Sequence, residues 1–278
     1  MRAGIGSYAF RHAIGYPTLK DKERMSFCEL IEYCAENSVE ALQVCENLPL
    51  HLLSDHQLSD GLALLNKYSI TFEVGTTGFA ADHLKIYASI ARSLGSNILR
   101  TIVDAKGVTI NQIADQIKLI IPTLEKTNVT LAIENHFHLT PGELRVLIEK
   151  IGHPLVKICI DPLNSITLLH CINETYEQLK PYIVSAHVKD VRLKRTGLGF
   201  QIFGCPLGEG ISKVDEYLRK IYESNPACNV FIEHWMDTCS NTEDTLAREK
   251  IWVTSSLEFL KNCINHLTCS IDGNTESQ

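Results

Sequence analysis

The sequence has no Cys-x-x-Cys pair, although it holds 10 cysteines in 278 residues. Zinc ribbons and thioredoxin-type redox pairs therefore lack their spacing. No run of about 18 apolar residues occurs, so no membrane-spanning helix is expected. The N-terminal Met-Arg-Ala-Gly-Ile-Gly-Ser lacks the apolar stretch of a signal peptide. There is no excess of positive charge either. Lys plus Arg is 26 against 33 Asp plus Glu, a net charge of −7, which disfavours nucleic acid and anionic membranes as partners. The reading is a soluble, reduced, cytoplasmic protein. Its cysteines, such as Cys159 in Val-Lys-Ile-Cys-Ile, serve as small buried hydrophobes.

What is present is regular. Hydrophobic residues make up 45% and charged residues 21%, an ordinary globular balance. Eight segments carry strand character: 2–8, 40–46, 70–76, 97–103, 130–135, 156–161, 183–190 and 229–235. They are rich in Ile, Val and Leu, as strands covered on both faces should be. Between them lie stretches with helical spacing, such as Leu84, Tyr87, Ala88 and Ala91, or Leu144, Leu147, Ile148 and Ile151. Most strand starts fall about 30 residues apart, which implies βαβ units and parallel pairing. Eight such units close as a single-domain α/β protein, a (β/α)8 TIM barrel spanning residues 1–264. An open doubly wound sheet would bring a Gly-rich nucleotide loop, and Gly-Ile-Gly-Ser-Tyr-Ala is not one. The interval from strand seven to strand eight is long and rich in glycine, so a long loop is expected there. Residues 265–278 lose apolar periodicity and are expected to form a flexible tail.

Reactive residues of a parallel barrel sit at the C-terminal ends of its strands. Those ends carry Glu46, Glu73, Arg100, Glu134, Asp161, His187, Lys189 and Glu233. Glu134, Asp161, His187 and Glu233 come from consecutive strands and form one coherent set. Each carboxylate follows apolar residues that cannot solvate it, so the group needs compensating charge. A single divalent cation supplies it. Three carboxylates and one imidazole suit Mn²⁺ or Mg²⁺, with Co²⁺, Fe²⁺ or Zn²⁺ as alternatives.

The chain resembles the xylose-isomerase-like TIM-barrel superfamily of sugar isomerases, epimerases, dehydratases and endonucleases. The matching runs are Ile-Glu-Asn (133–135), Cys-Ile-Asp (159–161), His-Val-Lys-Asp (187–190), Pro-Leu-Gly-Glu-Gly (206–210) and Ile-Glu-His-Trp (232–235). The resemblance implies that Glu134, Asp161, His187 and Glu233 bind one divalent metal, and that Glu134 and Glu233 act as paired acid and base. The runs at 4–15, 46–50, 73–76, 132–136 and 200–210 resemble the 3-oxo-isoapionate decarboxylase-like subgroup. Two departures stand out. Asn164 occupies the place of a substrate-binding His of the 3-epimerases, and Thr77 follows Glu-Val-Gly-Thr where the subgroup carries Arg. The nuclease branch needs further histidines and fits a net charge of −7 badly.

The resulting expectation is a metal-dependent sugar isomerase or epimerase acting on a small ketose or sugar acid through an enediolate. The alternative is a β-keto sugar acid decarboxylase using the same intermediate. A catalytically silent barrel that binds a metabolite stays open, as does a homo-oligomer. Glu46, Asn47, Asn135, His136, Asn164, Lys189, Arg192 and Trp235 are the candidate substrate contacts. Gly208-Glu209-Gly210, ahead of a helix expected near Ser212, offers backbone N–H groups to a phosphate.

Overall fold

A computed structural model describes residues 1–15, 24–103 and 106–275, with side chains through 268. Among the described residues there are ten strands: β1 (Arg2–Gly6), β2 (Ala41–Val44), β3 (Thr71–Thr77), β4 (Ile98–Ile102), β5 (Thr130–Glu134), β6 (Val156–Ile160), β7 (Ile183–Val188), β8 (Asp190–Arg195), β9 (Phe200–Cys205) and β10 (Asn229–Ile232). Ten helices join them: α1 (Arg11–Ile14), α2 (Phe27–Glu36), α3 (Asp55–Tyr68), α4 (Ala81–Ser93), α5 (Ile110–Lys118), α6 (Ile121–Thr127), α7 (Pro141–Ile151), α8 (Ile172–Leu179), α9 (Val214–Ser224) and α10 (Thr242–Thr275).

Eight strands close a parallel barrel in the order β1-β10-β7-β6-β5-β4-β3-β2. This is the expected (β/α)8 TIM barrel. Closure is made by β1 against β10, with Arg2 opposite Asn229 and Ile5 opposite Ile232. Helix starts are written locally. Ser26 with Glu29, Ser54 with Gln57, Thr109 with Gln112 and Thr140 with Glu143 each form a reciprocal capping box. That satisfies two orphan backbone donors per helix. The apolar faces of these helices pack on the outside of the barrel, where Leu30, Leu84, Ile117 and Leu147 are fully buried. Inside the barrel Gly4 admits no side chain. A Cβ there would lie 2.5 Å from the Phe231 ring.

One expectation needs correction. The long connection after β7 is not an open loop. Asp190–Arg195 and Phe200–Cys205 pair as an antiparallel hairpin, turned by Thr196–Gly199 through a 2.8 Å backbone bond. β8 is charged and mostly exposed, and β9 carries no charge but leaves Phe200, Gln201 and Ile202 exposed, so neither is covered on both faces as a barrel strand is. At the other end, α10 runs through Thr275. Residues 276–278 of the expected tail lie outside the described residues. No helix among the described residues is long and apolar enough to cross a membrane, and every described cysteine is free.

Candidate metal centre and active site

β5, β6, β7 and β10 deliver Glu134, Asp161, His187 and Glu233 to one point at the barrel mouth. His187 Nδ1 lies 3.3 Å from Glu134 Oε2, 3.4 Å from Glu233 Oε1 and 3.9 Å from Asp161 Oδ2. Asp161 and His187 are fully buried, and the two glutamates nearly so. Asp161 Oδ1, His187 Nδ1 and Glu233 Oε1 are buried and accept or donate no hydrogen bond. Buried polar atoms are rarely left so, and three from one ligand set within a single cluster fit a cation. Cys159 adds its thiol to Glu134 and His187 in a second grouping of ligand atoms. Burial pushes that thiol up, so it stays protonated and is the weaker donor.

Two basic side chains thread this cluster. Arg100, from β4, donates Nε to Glu134 and Nη1 to Glu46 at 2.7 Å and to the Thr76 carbonyl at 3.1 Å. Lys189 contacts Asp161 Oδ2 and lies 2.9 Å from Glu233 Oε2. Their effects differ. Burial opposes the charge on Glu134, yet Arg100 overrides it and, with His187 and Lys189, holds the carboxyl well below the usual range. Glu233 is lowered against its burial by His187 and Lys189. For Asp161 burial wins over Lys189, and its carboxyl is raised. In the ion pairs of this cluster, Glu46, Glu134, Asp161 and Glu233 meet the fixed cations Arg100 and Lys189. The last three carboxylates also face His187, whose imidazole is held well above its ordinary range against its burial.

Above the cluster opens a cavity of about 320 Å³. Of the expected substrate contacts, Glu46, His136, Asn164, Lys189 and Trp235 line it. Asn164 Nδ2 donates to Glu134 Oε1 at 2.9 Å. Trp235 forms a wall beneath the Lys189 ammonium, 5.7 Å from the ring centroid, and His136 stacks on Phe137 at 3.9 Å. Three expected contacts are elsewhere. Asn47 spends its amide on Ser7, accepting from Oγ and donating to the carbonyl at 3.0 Å. Asn135 accepts from the Asp161 backbone N–H at 2.7 Å and donates to its carbonyl and to Ser165 Oγ. Arg192 sits on the hairpin, 57% exposed, and pairs with Glu209.

The glycine loop is also differently used. Asp190 Oδ2 accepts the N–H groups of Gly208 at 3.0 Å and Gly210 at 2.9 Å, and Oδ1 accepts that of Ser212 at 3.0 Å. The protein's own carboxylate fills the nest read as a phosphate site. A Cβ at Gly210 would meet Asp190 Oδ1 at 2.1 Å, which explains the glycine. The cavity has further lining residues absent from the sequence-based set of substrate contacts: Tyr8, Arg11, Arg100, Phe137 and His234. Arg100 is legible in the sequence as a cation at a strand end, but its partners come from other strands. A larger groove of about 600 Å³, bounded by Leu169, Cys171 and Lys220, shares no lining residue with this cavity.

The fold agrees with comparison to known proteins. A family model described as xylose isomerase-like TIM barrel matches residues 16–263. The chain belongs to the xylose isomerase-like TIM-barrel family. It is 26% identical over 264 residues to 3-oxo-isoapionate decarboxylase from Pectobacterium atrosepticum, covering 94% of this chain and 95% of that protein. D-psicose 3-epimerase, solved in the presence of D-fructose, superposes with a TM-score of 0.73 at 14% identity, covering 95% of this chain and 99% of that one. A xylose isomerase-like TIM-barrel protein from Mycobacterium smegmatis, solved in complex with magnesium, gives 0.68 at 14% identity over 95% of this chain and 97% of that one. At such identities the solved structures speak for the fold alone.

Proposed function

We propose that this barrel is a divalent-metal-dependent sugar isomerase or epimerase acting on a small ketose or sugar acid through an enediolate. The observation that carries the reading is the set of three buried ligand atoms without a hydrogen bond, brought together at one point by Asp161, His187 and Glu233. Glu134, Asp161, His187 and Glu233 would hold the ion. When bound, such an ion polarises a substrate carbonyl and stabilises charge developing on its oxygen.

The chain's own residues do the rest. Glu134 and Glu233 stand on either side of His187 and supply the acid and base. His187 and Lys189, the latter held between Asp161 and Glu233, keep Glu233 ionised so that it can take a proton from the carbon beside the carbonyl. Asn164 and His136 offer polar contacts to hydroxyl groups, Glu46 borders the same space, and Trp235 closes one wall. Mn²⁺ or Mg²⁺ suits this oxygen-rich set best.

A second reading, decarboxylation of a β-keto sugar acid, is favoured by one contact. Glu134 is engaged on both oxygens, by Arg100 on Oε2 and Asn164 on Oε1. Glu233 keeps one oxygen unengaged. Epimerisation needs a proton removed and returned by separate groups, whereas loss of CO₂ leaves a single protonation. The similarity to 3-oxo-isoapionate decarboxylase along nearly the whole chain points the same way.

The test is incubation with Mn²⁺ or Mg²⁺ and two panels of substrates. Ketoses in D₂O are scored by NMR for exchange of the proton beside the carbonyl, and branched 3-oxo sugar acids for released CO₂. Exchange without CO₂ establishes the first reading, and CO₂ without exchange the second. Silence in both, with metal bound, leaves a metabolite-binding barrel.

A further inference from the structure

Below the metal cluster the barrel interior is polar, and it is organised. Gln43 on β2 and Glu73 on β3 are register partners, as are Ser185 on β7 and Asn229 on β10. Gln43, Glu73, Ser185 and His187 are fully buried. The described contacts of the Glu73 carboxylate are all with neutral donors. Its Oε1 accepts Asn229 Nδ2 at 2.7 Å, and its Oε2 accepts Ser185 Oγ at 2.8 Å and Gln43 Nε2 at 2.9 Å. With its amide nitrogen committed to the carboxylate, Gln43 turns its oxygen the other way, 2.7 Å from His187 Nε2. A carbonyl oxygen only accepts, so the proton at that contact belongs to Nε2. In the neutral imidazole that a metal requires, Nδ1 is then the lone-pair nitrogen, and it faces Glu134, Asp161 and Glu233 without a hydrogen bond.

We propose that Glu73 is a positioning residue of the metal centre: acting through Gln43, it sets the His187 tautomer that presents Nδ1 to a divalent cation. The inference rests on the metal-dependent reading above. It gives a role to a buried carboxylate that touches neither the cavity nor the ligand atoms. Outer partners of a metal-binding imidazole commonly fix its tautomer and orientation, and removing them lowers metal affinity about 10- to 100-fold.

Glu73→Gln tests it. The amide introduced by this substitution can donate to Gln43 Oε1, which lets the Gln43 amide turn over and offer N–H to His187 Nε2. The lone pair then moves to Nε2, and Nδ1 carries the proton into the ligand cluster. Mn²⁺ affinity, read by calorimetry on the full chain, is expected to fall about 10- to 100-fold. Ser185→Ala is the comparator. It removes another donor to the same carboxylate and a long 3.4 Å acceptor of the Gln43 amide, but keeps the shorter Glu73–Gln43–His187 line, so its melting temperature drops while Mn²⁺ affinity stays within about threefold of wild type. If Glu73→Gln does not fold, Gln43→Met keeps the volume, deletes the acceptor and carries the same expectation. Unchanged affinity in Glu73→Gln overturns the proposal, as does an equal loss in Ser185→Ala. Failure of the wild type to bind Mn²⁺ is a separate result, and it sinks the metal reading itself.

Discussion

Arg100 and His187 meet at one atom. Oε2 of Glu134 accepts the Arg100 Nε–H and lies 3.3 Å from His187 Nδ1. The guanidinium therefore does not serve as a general counter-charge. It fixes one named oxygen of a candidate ligand, and with Nη1 it ties that ligand to Glu46 across the mouth.

Removing that tie has a pH-dependent consequence. Arg100 keeps Glu134 ionised down to low pH, so protons compete poorly with a metal there. In Arg100→Met the burial of Glu134 acts unopposed by its main cation, and its carboxyl rises. Mn²⁺ affinity in the variant should therefore fall more steeply with falling pH than in wild type. Loss of one partner from a buried pair should also lower stability by about 3–5 kcal/mol. Arg100→Lys keeps the charge but not the fork, and should recover only part of the affinity. Parallel affinity slopes for wild type and Arg100→Met would remove Arg100 from this role.

Metal content offers a direct check on the ligand set. Asp161→Asn and His187→Ala each delete a buried, unpartnered ligand atom and should lose the ion during desalting. Asn47→Ala, whose amide serves Ser7, should retain it. Elemental analysis of the three proteins decides the matter, and equal retention would refute the four-residue site.

The contrast between Asp161 and Asn47 also marks what can be read from sequence. Inward carboxylates after apolar runs are costly wherever the chain goes, so Glu134, Asp161 and Glu233 stand out in a linear reading. Whether an amide is available depends on neighbours far along the chain. Asn47 is consumed by Ser7 and Asn135 by Asp161, and nothing in either local run reveals it. Arg192 reads as a residue of the mouth because it follows Lys189 closely, but the hairpin carries it outward to Glu209. Periodicity finds the barrel strands because they are apolar on both faces. It misses β8, which is charged and mostly exposed, and β9, a short uncharged strand exposed over its first half.

Asp190 makes a prediction about the glycine loop. Its two oxygens accept the N–H groups of Val191, Gly208, Gly210 and Ser212. Asp190→Ala leaves those donors without their acceptor and should lower stability by about 2–4 kcal/mol, with faster proteolysis around residues 205–213. Gly210→Ala should mimic it, because the new Cβ meets both Asp190 Oδ1 and the Val191 carbonyl. Inorganic phosphate should protect neither variant nor wild type in the same assay. Phosphate protection of wild type would show that Asp190 can be displaced from the nest.

Glu249 links α10 to the start of α1 and gives a pH signature outside the metal cluster. Its oxygens accept the backbone N–H groups of His12 at 2.6 Å and Ala13 at 2.8 Å. Burial raises its carboxyl to about 7 despite those two donors. An acid whose pKa is raised on folding holds its proton more tightly in the native state. Its contribution is therefore fully present below the unfolded value near 4.5, declines as pH rises, and is lost by the time pH passes about 7. The shift corresponds to at most about 3 kcal/mol. Glu249→Gln lacks this ionisation but loses one acceptor at every pH. Its melting temperature should lie below wild type at pH 5, and the gap should narrow or reverse by pH 8. Above pH 8 the difference should stay flat, because Glu249 is already ionised there. A gap that is constant from pH 5 to pH 8 would mean that Glu249 titrates alike in the folded and unfolded chain, and that the α1–α10 tie is held by geometry alone.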